Sequence, residues 1–442
     1  MSEQAIGIGL IGMGTVGGGV SELLMTQAKT YEKRIGKPIE LKKALVLDVA
    51  EVPEERKEFL AEGVLTDNAE EFWSAEGFDI LIEVMGGTGA AYEFVKKALN
   101  AGKHVVTANK ALLAKHGLEL FKIAHEKGVS IAFEASCGGG IPCITALKYG
   151  LMANQIGGMY GILNGTCNYI LTEMTQKNKT YEVALKEAQE KGFAEADPTL
   201  DVSGADTAQK LSVLASLAFG VHIAGDQVES IGVDVLDLKD IQFGAELGYD
   251  IKLLGTAERN EVDGPVSVKV QPCFVHKDEL IANVHGPMNA LSVYGHAVGH
   301  TMYYGAGAGR YPTASAVVSD ALNIASGWYP AAFAQMNLTP DCNEPAKLVA
   351  KEDIQSRYYM RFNAMDVPGV IAKVTTLLGD KDISIAAVMQ HESNPGEFTP
   401  IVVTTHDAKQ GDLDAAVKQI EALDVIDGEV VMIRIAEFEN DN

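Results

Sequence analysis

The sequence AIGIGLIGMGTVGGGVSELL, residues 5–24, decides the fold of the first third of the chain. An apolar run of strand length leads into the pattern G-x-G-x-x-G at Gly12, Gly14 and Gly17, and apolar residues then recur at helical spacing. A strand, this glycine pattern and a helix predict a dinucleotide site, in which the backbone approaches a pyrophosphate at the helix N-terminus. A glycine-rich packing turn is the alternative.

Short apolar runs alternate with helical patterns after this segment. Strands are predicted at residues 41–47, 78–84, 104–107 and 129–133, with a helix at 112–127. This alternation is typical of a mostly parallel sheet with right-handed crossovers. The first third of the chain is therefore predicted to be a Rossmann-type doubly wound nucleotide domain within an α/β protein.

Asp48 follows the second predicted strand, and ligands bind such sheets beyond the carboxyl ends of the strands. There it could accept a hydrogen bond from a ribose 2′-hydroxyl, which favours NAD over NADP. It lies further from the glycine pattern than is usual because the first helix is expected to be long. Two alternatives stay open: Arg56 and Lys57 could bind a 2′-phosphate instead, and Asp48 could be an ordinary turn aspartate.

Lys110 follows the fourth predicted strand, where its ammonium group could hold a carboxyl or carbonyl oxygen beside the cofactor. A solvated lysine is the alternative. The predicted cofactor contacts lie in loops that follow strands or open helices: Gly12, Gly14, Thr15, Val16, Gly17, Asp48, Gly86, Gly87, Lys110 and Gly309.

The segment GFAEADPTLDVSGADTAQKL, residues 192–211, crowds four carboxylates around one lysine. Asp206 and Lys210 are four residues apart on a predicted helix, so their side chains are surface neighbours. An exposed pair would contribute only about 0.3–0.5 kcal/mol. In a pocket, carboxylates would instead keep Lys210 protonated as a proton donor, and Glu195 and Asp201 would bind the ammonium group of an amino acid.

Two loops add candidate anchors. Asn164, Gly165 and Thr166 follow a predicted strand and open a helix, where they either cap the helix or bind a substrate carboxylate through free N–H groups. Residues 134–142, EASCGGGIP, contain three consecutive glycines. Their carbonyl groups could converge on a ligand or a hard monovalent cation, or the loop could simply turn the chain.

The composition excludes several classes of function. A formal net charge of −24 leaves no basic surface for nucleic acid, and no apolar run reaches the roughly 18 residues of a membrane span. The N-terminus has neither the basic region nor the cleavage site of a signal peptide. Five cysteines without a CxxC pair indicate free thiols in a reducing cytoplasm, with neither a disulfide framework nor a zinc site.

The sequence pattern changes near residue 356. From there to the end, 356–442, strand, helix, two strands, helix and strand are predicted, a βαββαβ α+β sandwich. The polar, proline-containing stretch 336–355 is predicted to be a linker. Upstream we expect a dinucleotide-binding domain at 1–137, completed by 305–335, and an α+β catalytic and dimerisation domain at 138–304.

Six motifs resemble homoserine dehydrogenase, in the order GLIGMGTVGGGV, TANKALLA, FEASCGGGIP, ILNGTCNYIL, GFAEADPTLDVSGADTAQKL and GAGAGRYPTASAVVSDAL. The resemblance covers nearly the whole chain. It implies NAD(P)-dependent reduction of L-aspartate 4-semialdehyde to L-homoserine, in threonine, methionine and isoleucine biosynthesis. It also implies a homodimer or homotetramer, and a stand-alone dehydrogenase rather than one fused to an aspartokinase.

The resemblance assigns roles to matching positions. Lys210 matches the catalytic lysine, and Lys110 matches the second active-site lysine. Glu195, Asp201 and Asp206 match carboxylates that hold the substrate or position the lysine. How the two lysines divide the work is left open.

The resemblance also bears on ions and on the cofactor. A sodium-type cation site is implied at Glu134 with the main-chain carbonyls of Cys137, Gly139 and Ile141. Leu47 departs from the family pattern, since many members have an arginine there that suits a 2′-phosphate. This departure strengthens the preference for NAD.

The C-terminal segment resembles an ACT-type regulatory domain, chiefly through the turn DVPGVIAKV. Feedback by threonine is the implied function, with Asp366, Val367 and Gly369 as the candidate regulatory residues. A purely structural dimerisation module is the alternative. For the whole chain, another NAD-dependent oxidoreductase would leave the acids around Lys210 unexplained. A catalytically silent NAD and amino acid sensor would bind cofactor without turnover.

Overall fold

The computed structural model describes residues 5–392, 394 and 396–438. The chain divides into two compact units whose segments alternate along the sequence. The first unit comprises residues 1–165, 206–229 and 288–346, and the second comprises residues 166–205, 230–287 and 347–442.

Both units contain strands, which in chain order are β1 (Ile6–Ile11), β2 (Ile39–Leu45), β3 (Leu65–Thr66), β4 (Ile80–Glu83), β5 (His104–Thr107), β6 (Ile131–Ala132), β7 (Ile156–Ile162), β8 (Glu229–Ser230), β9 (Tyr249–Glu258), β10 (Ser267–His276), β11 (Met288–Gly295), β12 (Gly299–Ala306), β13 (Gln355–Met365), β14 (Ile385–Gln390), β15 (Phe398–Thr405), β16 (Ala408–Lys409) and β17 (Ile426–Ile435).

The α-helices are α1 (Thr15–Thr26), α2 (Ala28–Ile35), α3 (Glu54–Lys57), α4 (Ala69–Ser74), α5 (Ala90–Asn100), α6 (Lys110–Lys127), α7 (Cys143–Thr145), α8 (Gly165–Lys177), α9 (Tyr181–Glu190), α10 (Thr199–Val202), α11 (Ala205–Phe219), α12 (Leu238–Glu246), α13 (Arg310–Ala325), α14 (Trp328–Gln335), α15 (Val370–Gly379) and α16 (Gln410–Glu421). A π-helix follows α7 at Ala146–Gly150, and 3₁₀ turns include Glu134–Ser136 and Pro340–Cys342.

A six-stranded parallel sheet organises the first unit, in the order β3-β2-β1-β4-β5-β6. The strand order reverses between β1 and β4, and ligands bind open α/β sheets at such a switch point. Ile8 and Leu10 of β1 are fully buried, as expected for a central strand covered on both faces. The predicted doubly wound fold is confirmed.

Several details of the sequence prediction were wrong. The strands predicted at 78–84 and 129–133 span only Ile80–Glu83 and Ile131–Ala132, and the helix predicted at 112–127 begins at Lys110. The segment predicted to be one long first helix is two helices, α1 and α2, separated at Gln27. The two helices together account for the distance between the glycine pattern and Asp48. The second strand ends at Leu45 rather than residue 47, so Asp48 lies in the loop beyond it. The two-residue strand β3 was not predicted, because a run that short carries no periodic signal.

The first unit contains a second, antiparallel layer, in which β11 pairs with both β7 and β12. Its chain then continues into α13, which packs against α1. Tight packing here requires small residues, because a Cβ on Gly19 would lie 2.9 Å from the carbonyl oxygen of Arg310. The segment after β12 therefore packs beside the helix that carries the glycine pattern.

The second unit is built on a mixed sheet in the order β9-β10-β17-β13-β15-β14. Its C-terminal part runs β13, α15, β14, β15, the two-residue strand β16, α16 and β17. Apart from β16, this confirms the predicted βαββαβ order. Tyr358, Phe362, Val374 and Leu413 belong to the buried core between this sheet and its two helices. Strand β17 also pairs with β10, so one sheet is continuous through the unit.

A buried ion pair joins α12 to β13 within the second unit. Arg361 contacts both carboxylate oxygens of Asp240, at 2.6 and 2.9 Å, and the hydroxyl of Tyr359 donates to the same carboxylate at 2.9 Å. Asp240 is fully buried, so its charge depends on these partners. Removing one partner of such a pair leaves an uncompensated buried charge.

We therefore expect Arg361→Met to lower the free energy of unfolding by about 3 kcal/mol. Urea unfolding followed by circular dichroism measures it. Arg357→Met is the matched control on the same strand, since its ion-pair partner Glu437 is 52% exposed and such pairs contribute about 1 kcal/mol or less. Equal losses in both variants would show that the buried pair has no special role.

Candidate active site

The glycine pattern forms a tight loop between β1 and α1. Gly12 has φ of +99°, and a Cβ on Gly17 would lie 1.9 Å from the Gly12 carbonyl oxygen, so neither position accepts a side chain. A Cβ on Gly14 would meet nothing within 4 Å, which leaves the outer face of the loop open. No side chain caps the N-terminus of α1 among the described residues. Its N–H groups are therefore oriented for a phosphate.

A cavity of about 540 Å³ lies beside this loop. Gly14, Leu47, Asp48 and Arg56 are among its lining residues. Asp48 accepts a hydrogen bond from the Ala50 N–H at 2.7 Å, as a turn aspartate does, and its carboxylate keeps acceptor capacity. The volume and the uncapped helix fit a dinucleotide.

Arg56 lies against the glycine loop and also lines this cavity. Its guanidinium donates to the Met13 carbonyl at 3.0 Å, and its side chain is the nearest neighbour that a Cβ on Gly18 would meet. Lys57 instead pairs with Glu54 at 2.7 Å. Of the two cations considered for a 2′-phosphate, only Arg56 lines the cavity.

A buried polar network, which the sequence analysis missed, holds Lys110 in place. The fully buried Glu83 accepts from the N–H groups of Met85 and Gly86, and from the Thr107 hydroxyl at 2.6 Å. The Thr107 hydroxyl in turn accepts from the Asn109 N–H. The one sequence signal was an acid at the end of the apolar strand ILIE.

Asn109 connects this network to the start of α6. Its side chain accepts from the Leu112 N–H at 3.0 Å, which caps the helix, and donates to the Gly87 carbonyl at 2.7 Å. Gly86 and Gly87 both have positive φ, near +75°, as the turn after β4 requires. Lys110, the first residue of α6, is thus fixed relative to that turn.

The structure brings together Lys110, Asp206 and Lys210, which were separate sequence predictions. The Lys210 ammonium lies 2.8 Å from one oxygen of Asp206, and the Lys110 ammonium lies 3.0 Å from the other. Lys210 also donates to the Leu163 carbonyl at 2.6 Å, and Asn164 donates to Asp206 at 2.9 Å. Asp206 is only 5% exposed, so the solvated ion pair is ruled out.

Asp206 is the electrostatic centre of this group. Burial raises the pKa of its carboxyl, but the charges of Lys210 and Lys110 and the hydrogen bonds from Lys210 and Asn164 outweigh burial and hold the pKa well below its ordinary value. Its place in the first turn of α11 also favours a negative charge. A permanent carboxylate therefore separates two ammonium groups.

Three other predicted substrate residues belong to the second unit. Thr166 lies in the first turn of α8, and its hydroxyl donates to the Phe193 carbonyl and lies 3.4 Å from Asp201. Glu195 is exposed in the loop between α9 and α10. Gly165 is the first residue of α8 and the last of the first unit.

The loop of residues 134–142 follows β6 in the first unit. The carboxylate of Glu134 accepts from the N–H groups of Ile144 and Thr145, at 2.8 and 2.7 Å, and from the Thr145 hydroxyl. Burial raises the pKa of this carboxyl. The Ile141 carbonyl already accepts from the Cys143 N–H. The side chain of Glu134 therefore anchors the loop to α7.

Backbone contacts tie this loop to its surroundings. A Cβ on Gly139 would lie 2.3 Å from the Gly307 carbonyl oxygen, and the Gly140 N–H donates to the Ala306 carbonyl. The Cys137 thiol donates to the Lys210 carbonyl at 3.8 Å. The loop thus lies against α11, and it also lies against the turn that ends at Gly309, the N-cap of α13.

Beneath this loop lies a buried cluster that sequence reasoning also missed. Asp320 accepts from the Glu134 N–H at 2.9 Å, and burial followed by the charge of Glu134 raises the pKa of Asp320 to about 8. Burial lowers the pKa of Lys148 to about 8. Its ammonium lies over the rings of Phe133 and Tyr329. These groups stiffen the base of the loop.

Comparison with known families matches most of the chain. Residues 12–134 match the family "Homoserine dehydrogenase, NAD binding domain", and residues 142–322 match the family "Homoserine dehydrogenase". Residues 358–425 match the ACT domain. Among the described residues no helix is both long and apolar enough to cross a membrane.

Individual homoserine dehydrogenases are also similar to this chain in sequence and structure. A homoserine dehydrogenase of Pseudomonas aeruginosa is 41% identical over 439 residues, which span 98% of this chain and 100% of that protein. A homoserine dehydrogenase from Thiobacillus denitrificans, whose crystal structure is known, is 41% identical in sequence to this chain. The two structures match with a TM-score of 0.90, over 98% of this chain and 99% of that chain. A hyperthermophilic archaeal homoserine dehydrogenase in complex with NADPH, 24% identical, shares the fold with a TM-score of 0.61 over 72% of this chain and 97% of its own.

Proposed function

The chain belongs to the homoserine dehydrogenase family, and we propose that it carries out the family's NAD(P)-dependent interconversion of L-aspartate 4-semialdehyde and L-homoserine through Lys210, Asp206 and Lys110. The observation that carries this proposal is a single buried carboxylate holding two ammonium groups, at 2.8 and 3.0 Å. A silent sensor would need no such group, and that alternative finds no support.

Proton transfer is the part of the reaction that these residues perform. When bound, the nicotinamide cofactor supplies the hydride in reduction and accepts it in oxidation. Lys210 donates a proton to the oxygen that gains charge as the carbonyl is reduced, and takes it back in the reverse direction. Asp206 keeps Lys210 charged and oriented, and Lys110 stabilises negative charge on the substrate oxygens.

The remaining polar groups of the substrate need their own partners. We assign its ammonium group to Glu195 and Asp201, because carboxylates suit that charge and the family resemblance gives these positions the role. We assign its carboxylate to N–H groups at the start of α8, at Gly165 and Thr166. Asn164 positions Asp206 through its 2.9 Å hydrogen bond.

For the cofactor, we propose NAD as the preferred form. Asp48 lines the cavity as an acceptor for a ribose 2′-hydroxyl, and the neighbouring Leu47 is 94% exposed and carries no charge for a 2′-phosphate. Arg56 already donates to the Met13 carbonyl and would contact the pyrophosphate side of the loop. NADP would bind less tightly, because its phosphate would meet Asp48.

We further propose that the ACT domain binds threonine at Asp366, Val367 and Gly369. Gly369, with φ of +92°, precedes α15, and no side chain caps that helix among the described residues, so its N–H groups suit an amino acid carboxylate. The Gln390 amide donates to the Asp366 carboxylate at 3.4 Å, and a carboxylate can accept several hydrogen bonds, so Asp366 is the candidate partner for an ammonium group.

Three lesser assignments complete the proposal. A sodium-type cation would be held by the carbonyls of Cys137, Gly139 and Ile141, with Glu134 supplying nearby negative charge. The protein would assemble as a homodimer or homotetramer. Its five free cysteines suit the cytoplasm.

The direct test is the initial rate of homoserine oxidation with NAD and with NADP, each with and without threonine. We expect turnover with both cofactors, a higher kcat/KM with NAD, and inhibition by threonine. Asp48→Asn should lower kcat/KM for NAD by about tenfold, because it removes one charge-assisted hydrogen bond. The effect on NADP should be smaller.

Each outcome of this assay tests a different part of the proposal. If neither NAD nor NADP supports turnover, the proposed reaction is contradicted. A higher kcat/KM with NADP would refute the role of Asp48 and place Arg56 at the 2′-phosphate. Turnover that threonine does not change would leave the ACT domain to another effector or to assembly.

A further inference from the structure

Three side chains meet at the C-terminal end of α6, the end opposite Lys110. His125 lies in the last turn of that helix, and Asp341 and Cys342 belong to the 3₁₀ turn Pro340–Cys342. The ring Nδ1 of His125 lies 2.8 Å from one carboxylate oxygen of Asp341. One nitrogen, one oxygen and one sulfur atom, one from each residue, all lie within 4.8 Å of one another.

We propose that His125, Asp341 and Cys342 bind a zinc ion, at a site that the spacing of the cysteines in the sequence did not predict. Nitrogen, oxygen and sulfur donors are the ligands that Zn²⁺ takes in proteins, at about 2.0–2.3 Å, and three protein ligands leave a fourth tetrahedral position for water. Ligand atoms within 4.8 Å of one another reach such an ion by small side-chain rotations.

A second observation singles out this group. The other carboxylate oxygen of Asp341, Oδ1, is buried and has no hydrogen-bond partner in the part of the chain that the structure describes. An unpartnered buried carboxylate oxygen is costly, and a bound ion is one way to satisfy it. The thiol of Cys342 is exposed, so a metal ion can reach the site from solvent.

The histidine ring is fixed before any metal arrives. It stacks on Phe333, with ring centroids 4.5 Å apart and planes 25° apart, and Phe333 is buried.

A bound zinc ion would link the C-terminal end of α6 to the turn at residues 340–342. Lys110 is the first residue of that helix, but the site lies at the opposite end, beyond its last turn. Zinc would therefore stabilise the fold of the first unit without entering the reaction.

The test is zinc binding by the full-length protein, measured by competition with a chromophoric chelator and by metal content after desalting. We expect one zinc ion per chain. Cys342→Ser, Asp341→Asn and His125→Gln should each weaken binding at least about tenfold, and His116→Gln on the same helix should not. Homoserine turnover should be unchanged in all four variants.

Cobalt substitution of the unmodified protein gives a measurement that needs no variant. Co²⁺ should give a sulfur-to-cobalt charge-transfer band, which zinc abolishes. Zinc should also raise the melting temperature of the unmodified chain, but not of Cys342→Ser. Zinc affinity equal in the unmodified chain and Cys342→Ser, or Co²⁺ bound without that band, would overturn the proposal.

Discussion

Lys210→Ala should lower kcat for homoserine oxidation by about 10⁴-fold and leave cofactor binding intact. The side chain contacts Asp206 and the Leu163 carbonyl, and it is absent from the residues that line the cofactor cavity. Its loss therefore removes the proton acceptor, whereas NAD keeps all its predicted contacts. Stopped-flow measurement of hydride transfer, with NAD affinity from fluorescence titration, separates the two effects.

A matched control exists on α8, where Lys177 forms the same i,i+4 ion pair with Glu173, at 2.7 Å. Lys177→Ala removes an equivalent helical pair and should leave kcat unchanged. Lys110→Ala tests the division of labour, and we expect it to raise KM more than it lowers kcat. Should Lys210→Ala retain more than a tenth of the activity, Lys210 would not be the proton-transferring residue.

The sequence predicted those parts of the site that short segments encode. The glycine loop lies within six residues, and Asp206 and Lys210 are one helical turn apart, so local spacing placed them correctly. That Lys110 shares the same carboxylate could not be read from spacing, because it lies 96 residues before Asp206 in the sequence. Only the sheet and the packing of α6 bring them together.

Other features escaped prediction because their evidence is spread along the chain. Glu83 looked like the last residue of an apolar strand, yet its burial makes it the acceptor that fixes the turn before Lys110. The pair of Asp240 and Arg361 spans 121 residues, and that of His125 and Asp341 spans 216. Residue type alone gives no reason to join such distant charges.

Asp206→Asn should lower kcat by about 10³-fold, because it keeps the shape of the side chain and removes the charge that both lysines share. The pKa of Asp206 is held below its ordinary value, so its stabilising contribution is complete above the unfolded-state pKa and is lost only as pH falls through the lower folded-state pKa. The carboxyl is thus ionised across any practical assay range, and its own titration does not shape the activity profile.

The pH profile of the variant then reports on the lysines. Without the carboxylate two ammonium groups face each other, which disfavours the protonated form that reduction requires. The rate of semialdehyde reduction in Asp206→Asn should therefore fall at a lower pH than in the unmodified enzyme. Glu173→Gln, which neutralises the acid of the equivalent pair on α8, should leave both kcat and the profile unchanged. A profile in Asp206→Asn that coincides with that of the unmodified enzyme would mean that Asp206 positions the lysines without controlling their charge.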